Sequence, residues 1–241
     1  MPARMWDEGI VVPTGNEELD MRLGGGIPLP VLLVIEGDHG TGKTVLTQQI
    51  IYGAVKSGFK VIYLTTELGV REFIIQSKRV SLDISSEFLK GLIKVIPLHM
   101  RNIDWNMLTS DRLLKIVSKY MAKNLKKYDI FVIDSLSMLI INSSLNSLLN
   151  FLTRVRTLVR YGKLIILTLH PSVIPSDVIT RIRAVSDGYI KLGFTEIGGK
   201  LIKVMKVVKL RGAISAPDTS IAFDVDPAFG IKVVPLALAK A

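Results

Sequence analysis

The stretch EGDHGTGKTVLTQQ, Glu36 to Gln49, decides the fold of this chain. Gly37, Asp38, His39, Gly40, Thr41, Gly42, Lys43 and Thr44 fit the pattern G-x-x-x-x-G-K-[ST] at every fixed position. The motif follows the apolar run VLLVIE (Val31–Glu36) and opens a helix, the setting in which this spacing holds phosphate. Glycines let successive backbone N–H groups turn inward around an anion, and the helix N-terminus adds its positive dipole end. On this reading the loop takes ATP. Lys43 reaches the β- and γ-phosphates, Thr44 is a ligand of Mg2+, and the Val45 amide meets the α-phosphate. His39 reads as a solvated loop residue.

Working outward, VIYLTT (Val61–Thr66), IKVIPL (Ile93–Leu98), DIFVID (Asp129–Asp134) and KLIILTL (Lys163–Leu169) are further continuous apolar runs. Such runs suit strands buried on both faces. Helical patterns lie between them. SDRLLKIVSKYMAKNLKK is expected to start at a capping Ser110 or Asp111. Leu113, Ile116, Val117, Tyr120 and Met121 form its expected apolar stripe, with Lys115, Lys119 and Lys123 on a solvated face. After Val185 the rhythm turns to strands separated by EIGGK and SAPD. The expected fold is α/β: a mainly parallel twisted sheet flanked by helices, with a β-hairpin-rich C-terminal edge. A single domain is expected over residues 1–241.

Composition narrows the function classes. The chain has no cysteine, which removes disulfides, zinc fingers and cysteine nucleophiles. Its three histidines, His39, His99 and His170, are too scattered for a zinc site. No apolar run approaches the ~18 residues of a membrane span, and the first ten residues lack a signal-peptide core. A cytoplasmic chain is expected. Its mean hydropathy of +0.40 points to apolar surface covered by partners. The net charge of +10 suits nucleic acid, an acidic partner or an anionic membrane surface without choosing among them.

Several residues are candidates for chemistry. Asp134, at the end of an apolar strand, is the expected second Mg2+ element, with helix capping as the alternative. Glu67 follows the strand after the phosphate-loop helix, at the edge where ligands of such sheets sit, and is a candidate to position water. A helix-terminal acid is an equal alternative. His170 ends a strand at the same edge and is a candidate γ-phosphate sensor or a structural histidine. Lys209 and Arg211, two apart on an expected strand, point to one face as a candidate anion clamp.

Together these residues resemble the RecA superfamily, in particular its KaiC-like branch. PTGNEELDMRLGGGIP, VIDSLSML and VSDGYIKL…KLRG carry the likeness in order, over nearly the whole chain. The opening TGNEELDMRLGGGIP and the ending DPAFGIKVVPLALAKA are similar to the archaellum-associated members of that branch. The resemblance implies a RecA-like core in a ring, usually a hexamer, with ATP between subunits. It implies that Lys209 and Arg211 act as trans fingers on a neighbour's γ-phosphate, and that Asp226 to Ile231 lie near the adenine. It also implies a place at the cytoplasmic face of the membrane-bound archaellum motor, with the motor ATPase and the membrane platform protein as partners. One departure stands out: such proteins usually carry two adjacent glutamates where this chain has Glu67-Leu68. Slow ATP turnover, or binding alone, is expected.

Two other functions compete. A recombinase-like DNA-binding ATPase fits the positive charge. Its DNA loops would need cations and aromatics, yet Ser135–Asn150 carries neither and Leu169–Thr180 has no lysine, arginine or aromatic residue. DNA is therefore not expected as the main partner. Autophosphorylation on Thr65 or Thr66, beside Glu67, is the third reading, weakened by the commonness of threonine in strands.

Overall fold

The structure is a computed structural model that describes residues 10–98 and 104–234. His99 and the last residues of the C-terminal motif, 235–241, lie outside this range. The first half of the chain runs β1 (Val11–Val12), α1 (Glu17–Arg22), β2 (Ile27–Pro28), β3 (Val31–Glu36), α2 (Lys43–Lys56), β4 (Val61–Thr65), α3 (Val70–Arg79), α4 (Ser85–Leu89) and β5 (Ile93–Pro97). The second half runs α5 (Met107–Lys123), β6 (Ile130–Asp134), α6 (Leu136–Ile140), α7 (Leu145–Arg160), β7 (Leu164–Leu169), α8 (Ser176–Val185), β8 (Gly188–Ile197), β9 (Lys200–Leu210), β10 (Ser220–Asp226) and β11 (Gly230–Val233).

β1 and β2 form a small antiparallel pair, and the rest form one sheet in the order β11-β10-β9-β8-β3-β7-β6-β4-β5. From β8 to β5 every neighbour pair is parallel. β9, β10 and β11 continue it by antiparallel pairing, the expected β-rich edge. Strand alternation sorts the two cores. Val31, Leu33 and Ile35 of β3 pack on the side of α2 and Phe73, whereas Leu32 and Val34 pack on the side of α5 and α7. Burial on both faces is why β3, β4, β6 and β7 are almost wholly apolar, whereas β5, at the end of the sheet, exposes Lys94. The fold is RecA-like.

The helix expected from Ser110 begins earlier. Asn106 caps α5 by accepting from the Thr109 N–H at 3.0 Å. Ser110 is buried inside the helix, and the Asp111 carboxylate instead accepts from the Ser144 N–H and hydroxyl at the start of α7. The buried stripe is Leu114, Val117 and Met121, while Ile116 is 60% exposed. The earlier start and the contact with α7 set this rotation.

Candidate active site

Parallel strands deliver their C-terminal ends to one edge. Because β4, β6, β7 and β3 are neighbours, that edge gathers the residues after Thr65, Asp134, Leu169 and Glu36. The phosphate loop lies there. A Cβ on Gly37 would meet the Thr41 hydroxyl at 2.6 Å, and Gly42 has φ +98°, so neither position takes another residue without strain. The Asp38 carbonyl accepts from the Thr41 hydroxyl at 2.7 Å and from Lys43 Nζ at 2.8 Å, folding the loop around one point. Gly40 makes a turn at φ +75°. α2 begins with no side-chain cap and no acidic residue in its first turn. The amides at the start of α2 are thus left without a side-chain acceptor, the arrangement that suits an anion. Burial lowers the pKa of Lys43, against the opposing pull of Asp134, Glu67 and Asp38.

Asp134 is buried at the end of β6. Its Oδ2 accepts from the Thr44 hydroxyl at 3.2 Å and the Tyr63 hydroxyl at 2.5 Å, and its Oδ1 accepts from Thr168 at 2.6 Å. Burial first, then the Asp134 charge, push the Tyr63 pKa well above its ordinary value. Tyr63 and Thr168 were not singled out in the sequence. The one signal was a polar threonine within the apolar run of β7. Among the described residues no group of three or more His, Cys, Asp or Glu side chains could hold a metal. A cation here would have Thr44 and Asp134, with its other ligands from phosphate and water. That donor set suits Mg2+, which keeps waters and binds through one or two protein oxygens.

Glu67 sits beyond β4 with Oε1 3.4 Å from His170 Nε2. The His170 hydrogen bond lowers the Glu67 pKa, outweighing partial burial, with help from the charges of Lys43 and the two histidines. His170 is buried, receives support from the Ser137 hydroxyl, which accepts its backbone N–H at 2.7 Å, and stacks with His39 at 4.5 Å between ring centroids. His39 is exposed yet rests on this ring. Leu68 turns away and packs on the core beneath α3. The buried Thr65 hydroxyl accepts from the Glu67 and Leu68 N–H groups at 3.2 and 3.0 Å, fixing the turn that separates them. Thr66 accepts from the Ser135 N–H at 3.1 Å.

Glu36, the last residue of β3, holds two cations beside the loop. It accepts from the Tyr189 hydroxyl, pairs with Lys191 at 2.9 Å and lies 3.6 Å from Arg183. Sequence reasoning missed this cluster because Lys191 and Arg183 come from β8 and α8, brought together only by the β3–β8 pairing.

Lys209 lies in β9, which ends at Leu210, so Arg211 stands just past the strand on which the pair was expected. Gly212, at φ +86°, turns the chain there, and the Asp187 carbonyl accepts the Arg211 N–H at 3.2 Å. The register Gly188↔Leu210 and Leu33↔Gly188 puts both at the sheet edge opposite the phosphate loop. Lys209 Nζ donates to the carbonyls of Arg183 and Ser186 at 2.5 Å each. Arg211 is exposed beside a groove of about 380 Å³ shared with Arg156, Arg160 and Asp187. Asp226, by contrast, ends β10 at the phosphate-loop edge, where its Oδ1 accepts from the Ala228 N–H at 2.7 Å. The β10–β11 hairpin is tied to α2 by the buried Gln49, whose Oε1 accepts from the Ile231 N–H at 3.1 Å.

A glycine-rich loop between β3 and an uncapped helix, with a strand-terminal carboxylate on the loop's threonine, defines a phosphate-loop ATPase site on this RecA-like sheet. The family model described as "ATPase: KaiC" matches residues 12–237. The archaeal flagellar ATP-binding protein FlaH of Sulfolobus acidocaldarius is 40% identical over 96% of this chain and 100% of its own length. FlaH of Methanocaldococcus jannaschii is 33% identical over 92% of this chain and 94% of its own. The crystal structure of FlaH from M. jannaschii superposes with a TM-score of 0.84 at 30% identity, covering 95% of this chain and 100% of that one. The chain belongs to the FlaH family of archaeal flagellar ATP-binding proteins, within the KaiC-like ATPases.

Proposed function

We propose that this chain binds Mg-ATP and serves as a nucleotide-dependent assembly component of the archaeal flagellar machinery, with slow hydrolysis when alone. The Thr44–Asp134 contact beneath the open N-terminus of α2 carries the reading. Gly37 to Val45 would hold the phosphates, Lys43 would exchange the Asp38 carbonyl for them, and Thr44 with Asp134 would hold Mg2+. The ion would supply charge neutralisation at the phosphates. The β10–β11 hairpin, including Asp226, would lie near the base.

Hydrolysis asks for more: a held water and cations on the developing charge. Glu67 can hold water, with His170 fixing its carboxylate. Leu68 is committed to packing, so no second carboxylate tunes Glu67. The nearby cations Arg183 and Lys191 are engaged by Glu36. Lys209 and Arg211, at the opposite edge, would reach a phosphate only on a neighbouring copy. A head-to-tail ring, six-membered by family resemblance, would supply them, chiefly Arg211, since Lys209 is tied to its own carbonyls. The flagellar names of the relatives support a place in the flagellar machinery; the family resemblance extends this to docking on the motor ATPase and the membrane platform protein, at the cytoplasmic face of that assembly. Among the described residues no helix is long and apolar enough to cross a membrane. Exposed Met107, Leu108, Ile141 and Leu145 offer apolar contact to such partners.

Light scattering with and without Mg-ATP tests the reading. Wild-type mass should rise with nucleotide. Lys43→Ala should lose both binding and association, and Arg211→Ala should keep binding but lose association. Equal loss of both in Arg211→Ala would place that residue in its own subunit's site.

A further inference from the structure

We propose that the groove between α5 and α7 is a docking site for an acidic helical segment of a protein partner, separate from the nucleotide loop. The groove encloses about 360 Å³. Its walls carry Arg112 and Lys115 from α5 and Arg154 from α7, over an apolar floor of Leu114 and Phe151. Some cations of the chain lie within 4 Å of a carboxylate, as Lys56, Lys163, Lys191 and Lys203 do. Among the described residues Arg112, Lys115, Lys119 and Arg154 form no such pair. The groove's one carboxylate, Asp111, spends both oxygens on Ser144. The groove therefore carries three cations against one carboxylate already held by Ser144, a net positive cleft that an external anion would complement.

The shape selects the class of anion. Arg112, Lys115 and Lys119 stand at i, i+3 and i+7 on α5, a row that rises ~1.5 Å per residue and matches carboxylates at the same spacing on another helix. Arg154 Nη1 rests on the Ser118 hydroxyl at 3.2 Å, so its guanidinium is held at the groove wall with donors left to pair. Ile116, exposed on α5 and four residues from Arg112, adds apolar contact at the groove's rim. A membrane is flat and would meet the rim before the groove. A nucleic acid would find no exposed aromatic in the groove on which to stack a base. Carboxylates set among apolar residues on a helix fit both features.

Fluorescence anisotropy with a labelled synthetic helix tests this. The probe carries glutamates at i, i+3 or i+4, and i+7 with leucines between, and the control peptide has the same composition shuffled. The full chain should bind the patterned peptide saturably at one site, more tightly than the shuffled one. Arg112→Glu with Arg154→Glu should weaken it about tenfold or more, while Mg-ATP affinity stays unchanged. Lys115→Glu, at an exposed position, repeats the test if the double variant does not fold. No saturable binding, equal binding of both peptides, or indifference to the reversals would overturn the proposal. So would tighter binding of single-stranded oligonucleotide or phosphatidylglycerol vesicles through the same arginines.

Discussion

The Thr44 hydroxyl lies 3.2 Å from Oδ2 of Asp134, joining two residues 90 apart in sequence at one point of the sheet edge. Tyr63 and Thr168 hold the same carboxylate from the strands on either side. Asp134→Ala would leave both buried hydroxyls without their acceptor. The expected cost is about 2 kcal/mol or more, since each orphaned buried group costs ~1–3 kcal/mol. Asp134→Asn, which keeps an acceptor, should cost less. Urea unfolding of both variants checks the order, and calorimetry should show that neither retains Mg2+-dependent tightening of ATP binding.

Lys43 makes nucleotide binding depend on pH at the alkaline end. Burial depresses its pKa in the free protein, and triphosphate beside it would raise the value again. Affinity should be full below the free-protein pKa and fall as pH rises through it, with proton uptake on binding in that window. Calorimetry in alkaline buffers of different ionisation enthalpy measures that uptake. Its absence would place Lys43 away from the phosphates.

Glu67 acts in the opposite window. Its pKa is lowered by the His170 hydrogen bond, so its contribution to stability is present above the ordinary carboxylate range and is lost as pH falls through the lowered value. Glu67→Gln should flatten this acid limb in thermal unfolding scans. The same variant should bind ATP like the wild type and lose whatever turnover remains.

Phosphate transfer to Thr65 is not expected. Its hydroxyl is buried and already accepts two backbone N–H groups. After incubation with Mg-ATP, mass spectrometry should find no phosphate on Thr65. Thr65→Ala should loosen the Glu67 turn and lower turnover without lowering ATP affinity.

Much of this was legible in the sequence, for local reasons. Five apolar runs became strands to within a residue, four of them because both faces of a parallel sheet are buried there, while β5 at the sheet's end keeps an exposed Lys94. The phosphate loop is a contiguous spacing, and a strand-terminal Asp134 carries its own signal. The start of α5 was misplaced because Ser110 and Asp111 are good capping residues, and only the packing of α7 shows that Asp111 serves the next helix. Ile116 fits an apolar stripe whose true phase depends on that same neighbour. Tyr63, Thr168 and the Glu36 cluster were hidden because strand order, not spacing, brings them together. Lys209 and Arg211 were read onto one face because nothing before Gly212 marks the strand's end at Leu210.

We propose that this chain grips ATP and scarcely turns it over alone, because the cations that could serve the developing charge stand at the far edge of the sheet. Steady-state phosphate release by the purified monomer, under Mg-ATP concentrations shown by calorimetry to saturate the site, tests it most directly. The expected rate is well below ~1 s⁻¹, at the slow end for enzymes, since absent charge-stabilising contacts cost several kcal/mol in the barrier. Release at several per second by the monomer would contradict the claim.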